Sequence, residues 1–123
     1  MDELPDIRPT LAAYIRDQAS WRFEKAAEYP EDLRNERSAE SLSMLAQFVE
    51  DLPAQDEILG GLAIVQASYH ADVYLPGEAA RYVIARFGFH RVETDFRVFL
   101  DHLLSVEVSG VRGAIETELD GPE

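Results

Sequence analysis

Residues 9–53 read PTLAAYIRDQASWRFEKAAEYPEDLRNERSAESLSMLAQFVEDLP, and this stretch decides the predicted fold. Pro9 suits the first turn of a helix and Pro30 cannot continue one, so we predict a first helix from Pro9 to Tyr29. Apolar residues recur along it at the spacing of one helix face. That predicted core stripe consists of Leu11, Ile15, Ala19, Phe23 and Ala26.

A second helix is predicted immediately after the first, ending near Asp51 because Pro53 follows. Glu31 and Asp32 place carboxylates in its first turn, where the helix dipole favours negative charge. Its predicted apolar face consists of Leu33, Met44, Leu45, Phe48 and Leu52. So short a connection between two helices indicates an antiparallel hairpin or a sharp bend.

The third predicted helix spans Asp56 to Tyr74. We expect it to be the central element, because it carries large apolar residues on one side and small residues on the other. Gly60 and Gly61 lie inside it and leave two interpretations open. Either the glycines permit the close approach of a neighbouring helix, or they break the chain and the helix begins at Leu62.

The rest of the chain predicts two more helices. The fourth follows Leu75-Pro76-Gly77 and stops at Gly88, a glycine of the kind that ends helices. The fifth has Thr94 as its predicted N-cap. Its helical pattern becomes weaker beyond Ser105, because Gly110 and Gly113 indicate a loop. At most one further helical turn is predicted, from about residue 114 to 119.

We therefore predict an all-α fold, a compact bundle of about five helices in a single domain covering 1–123. The only short stretch of strict alternation lies at 106–108. The ordered core is expected at about 9–108, with a frayed end at 120–123.

Composition narrows the classes of function. The chain has 123 residues, 24 of them acidic and 11 basic, with a formal charge of −13 and no cysteine. A hydrophobic fraction of 46% supports a packed core, whereas the absence of cysteine excludes disulfides and thiolate chemistry. The negative charge is spread over both halves and repels nucleic acids and anionic membranes, so neither is expected as a partner. Without an apolar leader at its start, the protein is expected in the cytoplasm.

Catalytic and metal-binding patterns are missing from the sequence. The three histidines, at positions 70, 90 and 102, do not fall in a zinc-protease or di-iron spacing. The phosphate-binding and dinucleotide-binding glycine patterns and the nucleophile-elbow motif are likewise absent. We therefore assign no catalytic residue, no metal ligand and no cofactor.

Two groups of residues are candidates for binding. Tyr14, Trp21 and Lys25 lie on the first helix away from its predicted core stripe. Aromatic and arginine side chains dominate interface hot spots, although a second packed face would equally explain Trp21. Arg22, Arg34 and Arg37 form the second group. Ser38 and Ser41 continue the second helix's apolar face toward its start together with Arg34 and Arg37, where leucines are expected; the arginines either join an ion-pair network or line an anion pocket.

The sequence thus favours a non-catalytic protein-interaction or regulatory module that acts as a homo-oligomer, predicted to be a homodimer joined through the Trp21 side of the first helix. Its partner is a second copy or another protein. One alternative is a small-molecule anion-binding protein or enzyme with a pocket at Arg22, Lys25, Arg34 and Arg37. Another is an acidic, antitoxin-like inhibitor of a basic protein.

Overall fold

The computed structural model describes residues 6–67, 76–89 and 95–120. Five helices cover these ranges, with no strand among them, so the predicted all-α fold is confirmed. They are α1 (Arg8–Glu28), α2 (Leu33–Asp51), α3 (Glu57–Ala67), α4 (Glu78–Ala85) and α5 (Phe96–Asp120).

Helices α1 and α2 form an antiparallel hairpin. Arg16 in the first half of α1 pairs with Glu50 near the end of α2, whereas Arg22, further along α1, reaches Asn35 in the first turn of α2. Asp32 is the N-cap of α2, and its carboxylate accepts the backbone N–H of Arg34 at 3.1 Å. This cap satisfies one of the backbone donors that a helix start leaves without a partner.

The core lies between this hairpin and the other three helices. Helix α5 packs against both α3 and α4, and α4 also contacts α1. Phenylalanine rings join these elements, with centroids 4.4 Å apart for Phe87 and Phe99 and 5.5 Å apart for Phe48 and Phe96. The largest fully buried side chains come from all five helices and from the turn after α4: Leu11, Ile15, Leu42, Leu45, Val49, Leu62, Ile84, Phe87, Leu100 and Leu103.

The predicted apolar faces of α1 and α2 are wrong at several positions. Phe23, Leu33 and Met44 were expected in the core but are 48%, 64% and 60% exposed. Conversely, Leu42 and Ala46, which the predicted apolar face of α2 does not include, are fully buried. The buried side of α2 is rotated toward small residues because the segment after α4 lies against it.

Glycine positions resolve two predictions about the helices. Helix α3 runs through Gly60 and Gly61, so the alternative of a break at these glycines is wrong. A Cβ built on Gly61 would lie 2.8 Å from a methyl carbon of Leu104, whereas one on Gly60 would meet nothing within 4 Å. Close approach to α5 therefore explains Gly61 alone. The loop predicted at Gly110 and Gly113 is also wrong, because α5 continues to Asp120.

Several predictions lie outside the described residues: the end of the third helix at Tyr74, the Thr94 cap, and two of the histidines, His70 and His90. None of the helices in the described part of the chain is long and apolar enough to cross a bilayer.

The two neighbouring glycines of α3 should respond differently to alanine. Gly60→Ala is expected to raise the free energy of unfolding by about 0.5–1 kcal/mol, because alanine restricts the unfolded chain and favours the helix. Gly61→Ala should gain clearly less or lose stability, since Leu104 must move to admit the methyl group. Urea unfolding of both variants measures the difference, and equal gains at the two positions would contradict the close contact between α3 and α5.

Candidate functional site

The side chain of Arg22 joins α1 to the end of α4. It is 93% buried, and its Nε and Nη2 atoms both donate to the carbonyl oxygen of Ala85, the last residue of α4. Its Nη1 atom donates to Oδ1 of Asn35 at 3.0 Å. The final carbonyls of a helix lack internal partners and carry the negative end of its dipole, so a cation is favoured here.

Burial sets the electrostatics of this guanidinium. Desolvation lowers the pKa of Arg22 from its ordinary value, and the neighbouring positive charge of Arg86 lowers it further, while Asp32 acts in the opposite direction. Arginine nevertheless keeps its charge in proteins. A buried cation is therefore held here by neutral oxygens and aromatic rings.

The turn after α4 is fixed against α2 by a second hydrogen bond. Ser38 Oγ donates to the carbonyl oxygen of Phe87 at 2.6 Å. Gly88 follows with φ of +71°, and a Cβ there would lie 2.6 Å from the Ser41 side chain. Small residues at 38 and 41 thus make room for the incoming turn, which explains why serines stand where leucines were expected.

Two guanidinium groups and two rings form what we term the guanidinium–aromatic cluster: Trp21, Arg22, Arg34 and Phe89. The Cζ of Arg22 lies 4.5 Å from the Trp21 ring centroid and 4.3 Å from that of Phe89. The Cζ of Arg34 lies 4.7 Å from the Phe89 ring centroid. These distances are those of cation–π contacts, which hold the rings in place at the protein surface. Trp21 remains 40% exposed, so α2 does not seal it.

A second cation–π pair flanks the cluster on α4. The Cζ of Arg86 lies 3.6 Å from the ring centroid of Tyr82, which is 59% exposed. Tyr14 of α1 lies near Arg81 and is half-buried against the core. Burial raises the pKa of the Tyr14 hydroxyl, while the charge of Arg81 acts in the opposite direction.

The structure brings some of the predicted binding residues together and separates others. Trp21, Arg22 and Arg34 meet within the guanidinium–aromatic cluster. Lys25 instead pairs with Glu28 one turn along α1, at 3.1 Å. Arg37 is half-buried one turn beyond Arg34 on α2.

The hydrogen bonds of Arg22 and Arg34 leave little of their donor capacity for the predicted anion pocket. The Nε, Nη1 and Nη2 atoms of Arg22 all donate to groups of the protein itself. Arg34 grips both carboxylate oxygens of Asp32, at 2.8 Å each. These two arginines therefore stabilise the fold, and the ion-pair interpretation suits Arg34 better than a free anion site does.

Sequence reasoning missed the partners that make this arrangement. Phe89, Asn35 and Ser38 contact residues far away in the chain, and no local spacing indicates such contacts. The one available signal was the polar start of α2, where asparagine and serine replace apolar residues on a face that becomes buried.

A separate open groove of about 460 Å³ lies between α4 and α5. Ala79, His102, Ser105, Val106 and Ser109 line it, and most of this lining is apolar. Among the residues that the structure describes, no three histidine or acidic side chains are grouped to hold a metal ion.

Replacement of Arg22 should destabilise the protein far more than replacement of a surface arginine. Arg22→Ala leaves Ala85 and Asn35 without their donor, and we expect the free energy of unfolding to fall by about 2–3 kcal/mol. Arg16→Ala on the same helix removes one exposed ion pair and is the matched control, with an expected loss below about 1 kcal/mol. Chemical denaturation measures both, and similar losses would refute the clamping role of Arg22.

The carboxylate of Asp32 should titrate unusually low. Its pKa is lowered to about 2 from an ordinary 3.8, chiefly by the side-chain hydrogen bonds from Arg34 and then by the Arg34 backbone N–H. A depressed folded-state pKa means that the stabilisation is complete above 3.8 and is lost as the pH falls through 2. Carboxyl NMR titration should show Arg34→Gln moving the Asp32 pKa part of the way back, with Arg16→Gln as an inert control. No movement in Arg34→Gln would exclude the ion pair as the cause.

Comparison with known proteins gave no relative: no family model matches the chain, and no curated protein or solved structure is detectably similar to it. What the protein does has to be inferred from its own residues.

Proposed function

We propose that this chain is a non-catalytic protein-interaction module that contacts its partner through the surface around Trp21 and Tyr82. The observation that carries the proposal is the exposed position of these two rings, each held by a guanidinium group. Tryptophan, tyrosine and arginine are the residue types most enriched in interface hot spots.

The side chains of this surface are held in fixed positions, which supports the proposal. Arg22 is fixed by three hydrogen bonds and lies against Trp21, so the indole ring is supported before any partner arrives. Side chains already held in place lose less conformational entropy on binding. A surface of fixed aromatic rings is therefore better suited to a protein partner than an equally exposed but mobile one.

The described cations are arranged less favourably for the alternative of a small-molecule anion site. Of the four cations predicted to line it, Arg22, Lys25 and Arg34 are each committed to a carbonyl or carboxylate of this chain, and Arg37 alone has no such contact among the described residues. Binding a carboxylate or phosphate at this point requires breaking those contacts. The proposed interaction includes self-association, which the sequence predicts as a homodimer.

Site-specific photo-crosslinking in the cells that naturally produce the protein tests this proposal. A photoreactive amino acid in place of Trp21 or Tyr82 should form covalent adducts with one defined protein. The same amino acid at Ala13 or Gln47, which are exposed on α1 and α2, is the matched control and should form none.

The adducts also distinguish a second copy from another protein. If they join two copies, light scattering should show a dimer that Trp21→Ala converts to a monomer. The absence of any protein adduct at 21 and 82, or equal adducts at the control positions, would overturn the interaction proposal.

A further inference from the structure

Three cations of this acidic protein have no carboxylate partner in the parts of the chain that the structure describes. In the described parts of the chain, Arg8, Arg16 and Arg97 each pair with an acidic side chain away from the Trp21 surface. Arg37, Arg81 and Arg86 form no such pair there. With 24 acidic residues to 11 basic ones, shortage of carboxylates does not explain these three.

These three arginines adjoin the guanidinium–aromatic cluster. Arg86 lies close enough to Arg22 to lower its pKa, and its guanidinium covers Tyr82. Arg37 is one turn from Arg34 on α2, and residues spaced by three share a helix side. Arg81 directly precedes Tyr82, and its positive charge acts to lower the pKa of Tyr14 on α1. We term Arg37, Arg81 and Arg86 with the exposed rings of Trp21 and Tyr82 the basic face.

We propose that the basic face binds an acidic peptide segment of another protein, one that also carries aromatic or aliphatic side chains. The inference rests on the proposed interaction function and names the chemistry of its partner. Carboxylates of the segment meet the three unpaired guanidinium groups, and its apolar side chains cover Trp21 and Tyr82. Matching of opposite potentials is what gives an interface its specificity and its rate of association.

A second copy of this chain fits the basic face less well. A symmetric dimer presses the same patch against itself, which brings Arg37, Arg81 and Arg86 of the two copies together. Like charges brought together at an interface are costly. A contact of this face with the acidic surface of another copy is head-to-tail and builds a closed ring or an open filament, not a dimer. A separate acidic segment satisfies the same arginines without either consequence.

Selection from a phage-displayed library of random peptides, with the whole protein immobilised, tests the partner chemistry. The expected enriched peptides combine several Asp or Glu residues with an aromatic or aliphatic residue. In fluorescence anisotropy they should bind at least about tenfold more weakly when the acids become amides, and more weakly as salt is added.

Variants of the protein locate the binding. Arg86→Gln and Arg81→Gln, both on exposed side chains, should each weaken the peptide several-fold, and the triple variant with Arg37→Gln by more than tenfold. Arg16→Gln and Arg97→Gln remove the same charge elsewhere and should leave binding unchanged. Circular dichroism checks that every variant is folded.

Three results would overturn the acidic-segment inference. One is enrichment of neutral or basic peptides only, or of none. Another is peptide binding that is indifferent to Arg81, Arg86 and the triple variant. The third is a single-stranded DNA oligonucleotide that binds as tightly as the acidic peptide with the same variant sensitivity. None of these results bears on the crosslinks at Trp21 and Tyr82, which test the interaction function separately.

Discussion

The arrangement of this protein depends on one buried cation. Moving a guanidinium group out of water is costly unless its donors are satisfied, and Arg22 satisfies them on the last carbonyl of α4 and on Asn35. The same contacts complete the end of α4, a helix of only eight residues: the carbonyls of Val83 and Ile84 accept backbone N–H groups of the following turn, and the Ala85 carbonyl accepts the guanidinium of Arg22. One side chain thus connects α1, α2 and α4.

The position of the turn after α4 follows from that connection. Directly after Ala85 the chain turns over α2, and Gly88 supplies the left-handed backbone of this turn. Ser38 then accommodates the turn and donates to its Phe87 carbonyl. Phe89 is thereby placed beside Arg22 and Arg34, so the surface cluster is a consequence of how the interior is joined.

Helix periodicity and boundary residues predict the positions of most helices, but they do not predict the contacts between the helices. Pro9 and Pro53, as helix boundary signals, placed the hairpin to within a few residues, because such signals act over one helical turn. The predicted face of α2 is wrong because side-chain hydrophobicity places Leu33 and Met44 inside, whereas the structure buries Asn35 and Ser38. Ser38 is buried and Met44 is exposed since an arriving turn, unknowable from local spacing, needs small residues beneath it.

The candidate site shows the same division between local and long-range information. Trp21 and Arg34 stood out from residue type alone, whereas Phe89 did not, since its place beside them depends on a turn more than fifty residues away from α1 in the chain. The guanidinium of Arg22 is buried and donates to Ala85 and Asn35, contacts that its position in the sequence does not indicate. The buried arginine supports the rings, whereas Arg81 and Arg86 are exposed and have no carboxylate partner among the described residues, and these are the charges that the proposed interaction assigns to a partner.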